Sequence, residues 1–365
     1  MTRQLPHSVR LDIAILSGLF RNTTNSYKYL FLLSLLTLLK DRDFEIDDGI
    51  LLRDIEIEML VTAWYPHVFF KLSFGTQDKI SSALQLILPQ DDDQGFLFTT
   101  GRKNLREHID FYGEILNYKL MRYVPYRILR PFFREEIRGM PDHRVNREIS
   151  RLAAEQFHER CPLFRFDDSE DCIFLHPHWI DYLKQHLTIL ESWTLWHWAD
   201  YMQRRNPAIL AVTRKLLPPD QQESLKKQHD FWDAVIDETV VRCIYTKKKL
   251  DHGYDLDHFL PWKFVAHNQL WNLIPVDPQA NRSKSDCLPS EIYIDRLAET
   301  QYAALSFAHS TDEWKKEVVS YTTDLPITPE DMLDCEKLKI VYRSTLKPLM
   351  SIAEQQGFQP DWTYG

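Results

Sequence analysis

Four polar residues in the stretch 255–286 have types and spacings that could support hydrolysis of a phosphodiester. Asp257 and His258 are adjacent, Asn272 lies 14 residues after His258, and Asn281 follows nine residues later. Hydrolysis at neutral pH requires a base for water, a charge that neutralises the phosphate, and stabilisation of the leaving oxygen. A histidine can be the base, and a divalent cation can supply the other two. A hard cation such as Mg²⁺ prefers oxygen ligands.

The elements around these residues determine how they could act together. The β-branched run Val240–Tyr245 predicts one strand, residues 247–253 a turn, and Tyr254–His258 a second strand. A long loop and then a helix opened by Asp277 or Asn281 should follow. Adjacent strand residues point to opposite faces, so Asp257 and His258 are expected to flank a substrate rather than share one metal.

In order and spacing, residues 243–290 resemble the HNH nuclease module, also called the ββα-metal or His-Me finger. The core is similar to that of CRISPR RNA-guided nucleases, down to the tail NRSKSDCLPS that begins at Asn281. The resemblance implies that Asp257 and Asn281 bind one Mg²⁺, that His258 is the general base, and that Asn272 braces the loop and orients His258. Oxygen ligands of this type also accept Mn²⁺ in place of Mg²⁺. Cys243 has no cysteine partner nearby, so no structural zinc is expected.

Residues next to this core allow more than one interpretation. Arg282 and Lys284 could bind phosphate oxygens, or could equally well cap the helix or face solvent. Asp255 points to the same strand face as Asp257 and is either a secondary metal contact or solvated support. His267 is expected to be structural.

The charge of the chain is unevenly distributed. The net charge is −9, which argues against a general nucleic-acid coat. Residues 119–151, called here the basic segment, nevertheless hold nine bases against four acids. Arg127, Arg130 and Arg134 within it are candidate contacts for DNA phosphates. The alternative is a solvated helix surface, which is the commoner meaning of a charge run.

The remaining sequence predicts a mainly helical α+β protein. The most apolar run, residues 29–39, is too short for a bilayer, which needs about 20 residues. It therefore predicts a buried helix and no membrane insertion. Five scattered cysteines and no visible signal peptide favour the cytoplasm. The predicted domains are a helical N-terminal domain, a helical connector packing on the nuclease module, the HNH module and a C-terminal helical segment, at 1–180, 181–239, 240–300 and 301–365.

These features together predict a Mg²⁺-dependent DNA endonuclease that cuts one strand at each site. Two alternatives stay open: a catalytically silent HNH-fold subunit that binds DNA or assembles a complex, and a dimeric restriction-type enzyme that cuts both strands. Segments from Trp198 through Asn281 also resemble stand-alone bacterial HNH proteins, several of them from anti-phage defence loci. The HNH effector of a Zorya-type system is one candidate. That resemblance implies other subunits of a defence system as partners besides DNA.

Overall fold

The structure is a computed structural model that describes residues 5–88, 101–116, 120–218, 224–311 and 315–365. Its internal contacts divide the chain into two compact units. The first unit comprises Met1–Pro207 with Leu216–Pro218, and the second comprises Ala208–Lys215 with Pro219–Gly365. This division does not coincide with the predicted domain boundaries, which remain a prediction. Both units are mainly helical with small sheets, so the predicted fold class is confirmed.

The first unit packs helices around a strongly apolar central helix, Tyr27–Asp41, in which ten residues are buried. The longer helices of this unit pack against the helix Tyr27–Asp41 or against helices next to it, because each of these helices buries an apolar face. The helices of this unit are Ile13–Ser17, Tyr27–Asp41, Leu52–Trp64, Ile80–Leu86, Arg102–Leu116, Val124–Leu129, Asp142–Glu155, Phe157–Arg160, Pro177–Gln185 and Leu187–Arg205. A three-stranded antiparallel sheet joins Ile50–Leu51, Cys172–Leu175 and Phe164–Phe166, in that order.

Local sequence patterns predict several features of this unit. Residues 161–179 alternate apolar and polar side chains, which predicts a short hairpin, and the structure has an antiparallel pair there, with Phe166 opposite Ile173. Pro207 predicts the end of the helix before it, and that helix ends at Arg205. Ser26 is predicted to cap the helix at Tyr27, but its hydroxyl donates to buried Asp78 at 2.5 Å instead. The polar residues 90–94 predict a break and lie outside the described residues.

The second unit surrounds a two-stranded sheet with helices. Its helices are Lys226–Glu238, Trp262–Val265, Pro278–Lys284, Ile294–Ser310, Lys315–Asp324 and Cys335–Gln355. The helix Ile294–Ser310 packs on Cys335–Gln355, and its buried Gln301 bonds the carbonyls of Leu270 and Leu273. These contacts hold the two-stranded sheet, which carries Asp257 and His258, against the two packed helices. Asp220, which was predicted to cap the first of these helices, lies outside the described residues.

The strand pairing differs from the one that the sequence predicts. Residues 240–245 contribute only a single bridge, Arg242 to Lys249. The strand Asp255–His258 instead pairs antiparallel with Leu273–Val276, which was assigned to a loop. The second strand contains Pro275, which lacks an N–H; a two-stranded sheet tolerates it because each strand keeps an unpaired edge. The ladder places Asp257 opposite Ile274 and His258 opposite Leu273.

The helix that follows begins where one of the two predicted caps places it. Asp277 is its N-cap and accepts a hydrogen bond from the amide of Gln279 at 2.9 Å. The helix Pro278–Lys284 is short, and Asn281 lies in its middle rather than at its start. Across the described ranges, no helix combines the length and apolar character needed to cross a membrane.

Candidate functional site

Asp257 is a buried carboxylate held from two sides. Its side chain is only 4% exposed. The hydroxyl of Tyr245 donates to Oδ2 at 2.6 Å, and the ammonium of Lys284 contacts Oδ1 at 2.9 Å. Burial and then the charge of Asp257 raise the pKa of Tyr245 well above its ordinary value, so the phenol stays protonated and remains a donor. Both oxygens of Asp257 therefore have a partner within the protein.

Lys284 is the cation that balances this carboxylate. Its side chain is fully buried, and its ammonium also donates to the carbonyl of His258 at 2.8 Å. A buried charge is tolerated only when it is paired and hydrogen-bonded. The sequence predicted Lys284 as a possible contact for phosphate oxygens, and this placement does not support that role, because the ammonium is enclosed and bonded to Asp257.

His258 follows Asp257 and is held by a residue of the adjoining loop. Its Nε2 lies 2.9 Å from the side-chain oxygen of Asn268. An amide oxygen only accepts, so with the Asn268 amide in this orientation the neutral ring donates from Nε2 and Nδ1 is its basic nitrogen. Burial lowers the pKa of His258, although the hydrogen bond to Asn268 and the charge of Asp257 act in the opposite direction. The imidazole is thus neutral near pH 7, as a general base must be.

Asn272 closes the loop between the two strands. Its side chain is completely buried, and its oxygen accepts from the amide of Leu260 while its nitrogen donates to the Leu260 carbonyl, both at 2.9 Å. Its own carbonyl accepts from the amide of Phe259. These three bonds bind Asn272 to the two residues directly after His258. This arrangement agrees with the loop-bracing role that the resemblance implies.

Asn281 lies beside Asp255 in this structure. Its amide nitrogen donates to Oδ2 of Asp255 at 3.2 Å, and both residues are partly exposed. Asp255 and Asp257 are two positions apart on one strand and therefore share a face. Asp255, Asp257 and Asn281 thus form one group of oxygen-bearing side chains at the strand and the following helix.

The chemistry of this group fits a hard divalent cation, although in this structure each oxygen of Asp257 already has one partner and the charge of Asp257 is balanced by Lys284. Two carboxylates and an amide are the oxygen ligands that Mg²⁺ or Mn²⁺ prefers. Within the described residues there is no cluster of three or more His, Cys, Asp or Glu side chains suited to a metal. A cation at Asp257 would take over the charge that Lys284 now neutralises. The residue types therefore fit, on condition that the contact between Lys284 and Asp257 loosens.

The other predicted site residues lie on the surface. Arg282 is exposed on the helix Pro278–Lys284, next to Asn281. Arg127, Arg130 and Arg134 are exposed side chains of the first unit. The structure of the second unit thus places Asp257 and His258 on one strand, Asn272 in the segment before the second strand, and Asn281 on the following helix, with Arg282 next to Asn281 in sequence. The roles of all four arginines in binding nucleic acid remain predictions.

Three contacts of the site were missed at the level of sequence. Asn268 at His258, Tyr245 at Asp257 and the enclosure of Lys284 depend on contacts across 10, 12 and 27 positions. Asn268 lies in a polar run between His267 and Gln269, so the local sequence contains no signal that singles it out. Nothing in the local sequence distinguishes Lys284 from an exposed lysine, because it follows Asn281, Arg282 and Ser283 in a polar run.

Comparison with known protein families gives a match for the segment that contains these residues. Residues 243–290 match the family model described as HNH endonuclease. The matched segment begins at Cys243 and includes both strands and the helix described above. It supports an HNH domain in the C-terminal half of the chain and suggests nuclease activity. Neither the curated proteins nor the solved structures include a significant match to this chain.

Proposed function

We propose, from the HNH endonuclease match of residues 243–290, that this protein is a divalent-metal-dependent DNA endonuclease. The observation that carries the proposal is the pair Asp257 and His258, with His258 neutral and fixed by Asn268 inside the matched segment. The surrounding residues also fit the family's roles, since Asn272 braces the loop and Asn281 lies on the adjacent helix.

His258 would act as the base for the attacking water. Its Nε2 donates to Asn268, so Nδ1 is the nitrogen that takes the proton. The lowered pKa keeps Nδ1 unprotonated at neutral pH, and the burial that lowers it also limits rotation of the ring. Positioned general bases contribute about 10²- to 10⁴-fold to rates. Asn272 supports this role indirectly by holding the backbone of Phe259 and Leu260.

Asp257 and Asn281 are the residues that would hold Mg²⁺, with Asp255 close enough to support them. When bound, such an ion neutralises phosphate charge and stabilises the leaving oxygen. Lys284 keeps the buried carboxylate of Asp257 compensated in the ion's absence. Arg282, exposed on the same helix as Asn281, is the nearest candidate to contact a phosphate of the substrate.

A single site of this kind is expected to cut one strand at each visit. Cutting both strands would require a second copy, and a silent DNA-binding subunit would cut neither. A role in bacterial anti-phage defence, with other subunits as partners, is supported by the sequence resemblance alone. A location in the cytoplasm is likewise proposed, from the scattered cysteine pattern alone.

The test is incubation of the purified chain with supercoiled plasmid and Mg²⁺. We expect open-circular product first, and His258→Ala should lower the rate by about 10²-fold or more. His252→Ala is the matched control, because His252 is an exposed histidine of the same segment bonded only to Asp233 and Asp237. Linear product as the first species would favour the dimeric enzyme. No product from the parent, or equal rates for parent and His258→Ala, would refute the proposal.

A further inference from the structure

The first unit contains a basic cavity that is separate from the residues discussed so far, apart from Arg127. Its volume is about 290 Å³. Thirteen described residues line it: Asn22, Thr23, Thr24, Asn25, Tyr27, Lys28, Gln77, Lys79, Leu120, Arg122, Tyr123, Val124 and Arg127. Four of them are bases and none of these thirteen is an acid. In a chain with 53 acids against 44 bases, such a lining is an unbalanced concentration of positive charge.

Asp78, the neighbour of Lys79 in sequence, directs its carboxylate to groups other than the four bases that line this cavity. Asp78 is buried and accepts hydrogen bonds from the amide and hydroxyl of Ser26 and from the amide of Ile80. The pKa of Lys28 shows the effect of these neighbouring positive charges. Burial, followed by the positive charges of Arg127 and Arg130, lowers its pKa to about 8. An anion entering the cavity would relieve this repulsion.

The remaining lining groups suit a phosphate in particular. Hydroxyls and amides of threonine and asparagine side chains offer donors beside the cations. Tyr123 is 46% exposed, and the guanidinium groups of Arg122 and Arg127 lie 5.0 and 5.6 Å from its ring centroid. Guanidinium forks match phosphate geometry, and an aromatic ring among cations is typical of sites that bind nucleotides. The volume is just below the usual range for ligand pockets, about 300–1,000 Å³.

We propose that this cavity binds the phosphate of a nucleotide unit through Lys28, Lys79, Arg122 and Arg127. The phosphate can belong to a nucleic-acid strand or to a free nucleotide, because both present the same group. The proposal does not depend on nuclease activity, since it concerns binding by residues of the first unit.

The variant Lys79→Gln/Arg122→Gln tests the proposal without disturbing the fold. Both side chains extend from exposed positions, and the hydrogen bonds of these residues to Tyr27 and Asn146 use their backbone atoms. The matched control is Arg144→Gln/Arg147→Gln, which removes the same charge from exposed positions of the basic segment that do not line the cavity. Circular dichroism and melting establish that each variant is folded, and Arg127→Gln serves as a second variant if the first is not.

Binding is measured on the full chain in EDTA, so that cleavage plays no part. The probes are inorganic pyrophosphate and adenosine monophosphate by calorimetry, and a labelled single-stranded oligonucleotide by fluorescence anisotropy. We expect the cavity variant to bind at least one probe about tenfold or more weakly than the parent, with the control within about twofold, because a lost hydrogen bond to a charged group weakens binding by at least that factor. Loss confined to the oligonucleotide identifies a strand as the source, and loss with the monophosphate identifies a free nucleotide. The proposal is overturned if the parent binds none of the probes, or if the cavity and control variants behave alike.

Discussion

Replacing Lys284 with methionine should destabilise the second unit strongly, although the side chain has nearly the same length. Lys284 is fully buried and supplies the ammonium that contacts Asp257 at 2.9 Å and the His258 carbonyl at 2.8 Å. The methionine keeps the apolar stem and removes the charge. Asp257, 4% exposed, would then keep only the hydroxyl of Tyr245 as a partner.

The expected loss follows from leaving a buried charge unpaired. Removing one partner of a buried ion pair costs about 3–5 kcal/mol. The second unit has about 150 residues, for which 1 kcal/mol corresponds to a shift in Tm of about 2–4 °C. The Tm of this unit should therefore fall by roughly 6–20 °C. Lys337→Met is the control, because its ion pair with Asp331 is largely exposed and solvent screens such pairs, so the Tm of this variant should stay close to that of the parent.

Thermal melting with and without Mg²⁺ connects this loss to the proposed metal site. An ion that binds only the folded state stabilises it by about 2.7 kcal/mol at 100 times its Kd. In Lys284→Met the ion no longer competes with the ammonium for Asp257. Mg²⁺ should therefore raise the Tm of Lys284→Met by more than it raises the Tm of the parent.

A second substitution separates the pairing from simple loss of packing. Asp257→Asn removes the charge that Lys284→Met leaves unpaired, so the double variant should be more stable than Lys284→Met alone. A Tm of Lys284→Met within about 2 °C of the parent would refute the argument for a buried ion pair. Equal Mg²⁺ shifts in parent and variant would instead count against Asp257 as a metal ligand.

Three further predictions concern the cofactor, pH dependence and DNA binding. EDTA should abolish cleavage and Mg²⁺ or Mn²⁺ should restore it, with no stoichiometric zinc in elemental analysis; activity that persists in EDTA would contradict the ligand assignment. Lys215 is buried and its pKa is lowered from 10.5 to about 7, so the unfolded chain binds more protons between these values and stability should rise with pH across that window, by on the order of 4 kcal/mol. Urea denaturation of Lys215→Met should lack this increase, and an unchanged slope would show that Lys215 is not its cause. Reversing Arg127, Arg130 and Arg134 to Glu should weaken DNA binding and flatten its salt dependence, whereas binding equal to the parent at every salt concentration would make the basic segment a solvated surface.

Local sequence was sufficient wherever neighbouring residues decide the conformation. Asp277 was one of the two residues predicted to open a helix, and the structure starts the helix there, because its carboxylate caps the first turn and Pro278 suits the first position. The alternating residues around Phe164 and Ile173 predicted their hairpin for the same reason. The order and spacing of Asp257, His258, Asn272 and Asn281 indicated an HNH module, and residues 243–290 match that family model; the grouping of the four residues into one site stays a prediction.

Only the tertiary structure decided which groups meet across the chain. The strand Leu273–Val276 was missed because burial of its apolar residues against the second unit's core outweighs the lost donor of Pro275. Lys284 could not be distinguished from a solvated lysine, because its burial depends on Asp257, 27 residues earlier. Contacts of this kind, between residues far apart in sequence, depend on which surfaces are buried together when the chain folds. The residues next to Lys284 or Leu273 in sequence do not determine which surfaces those are.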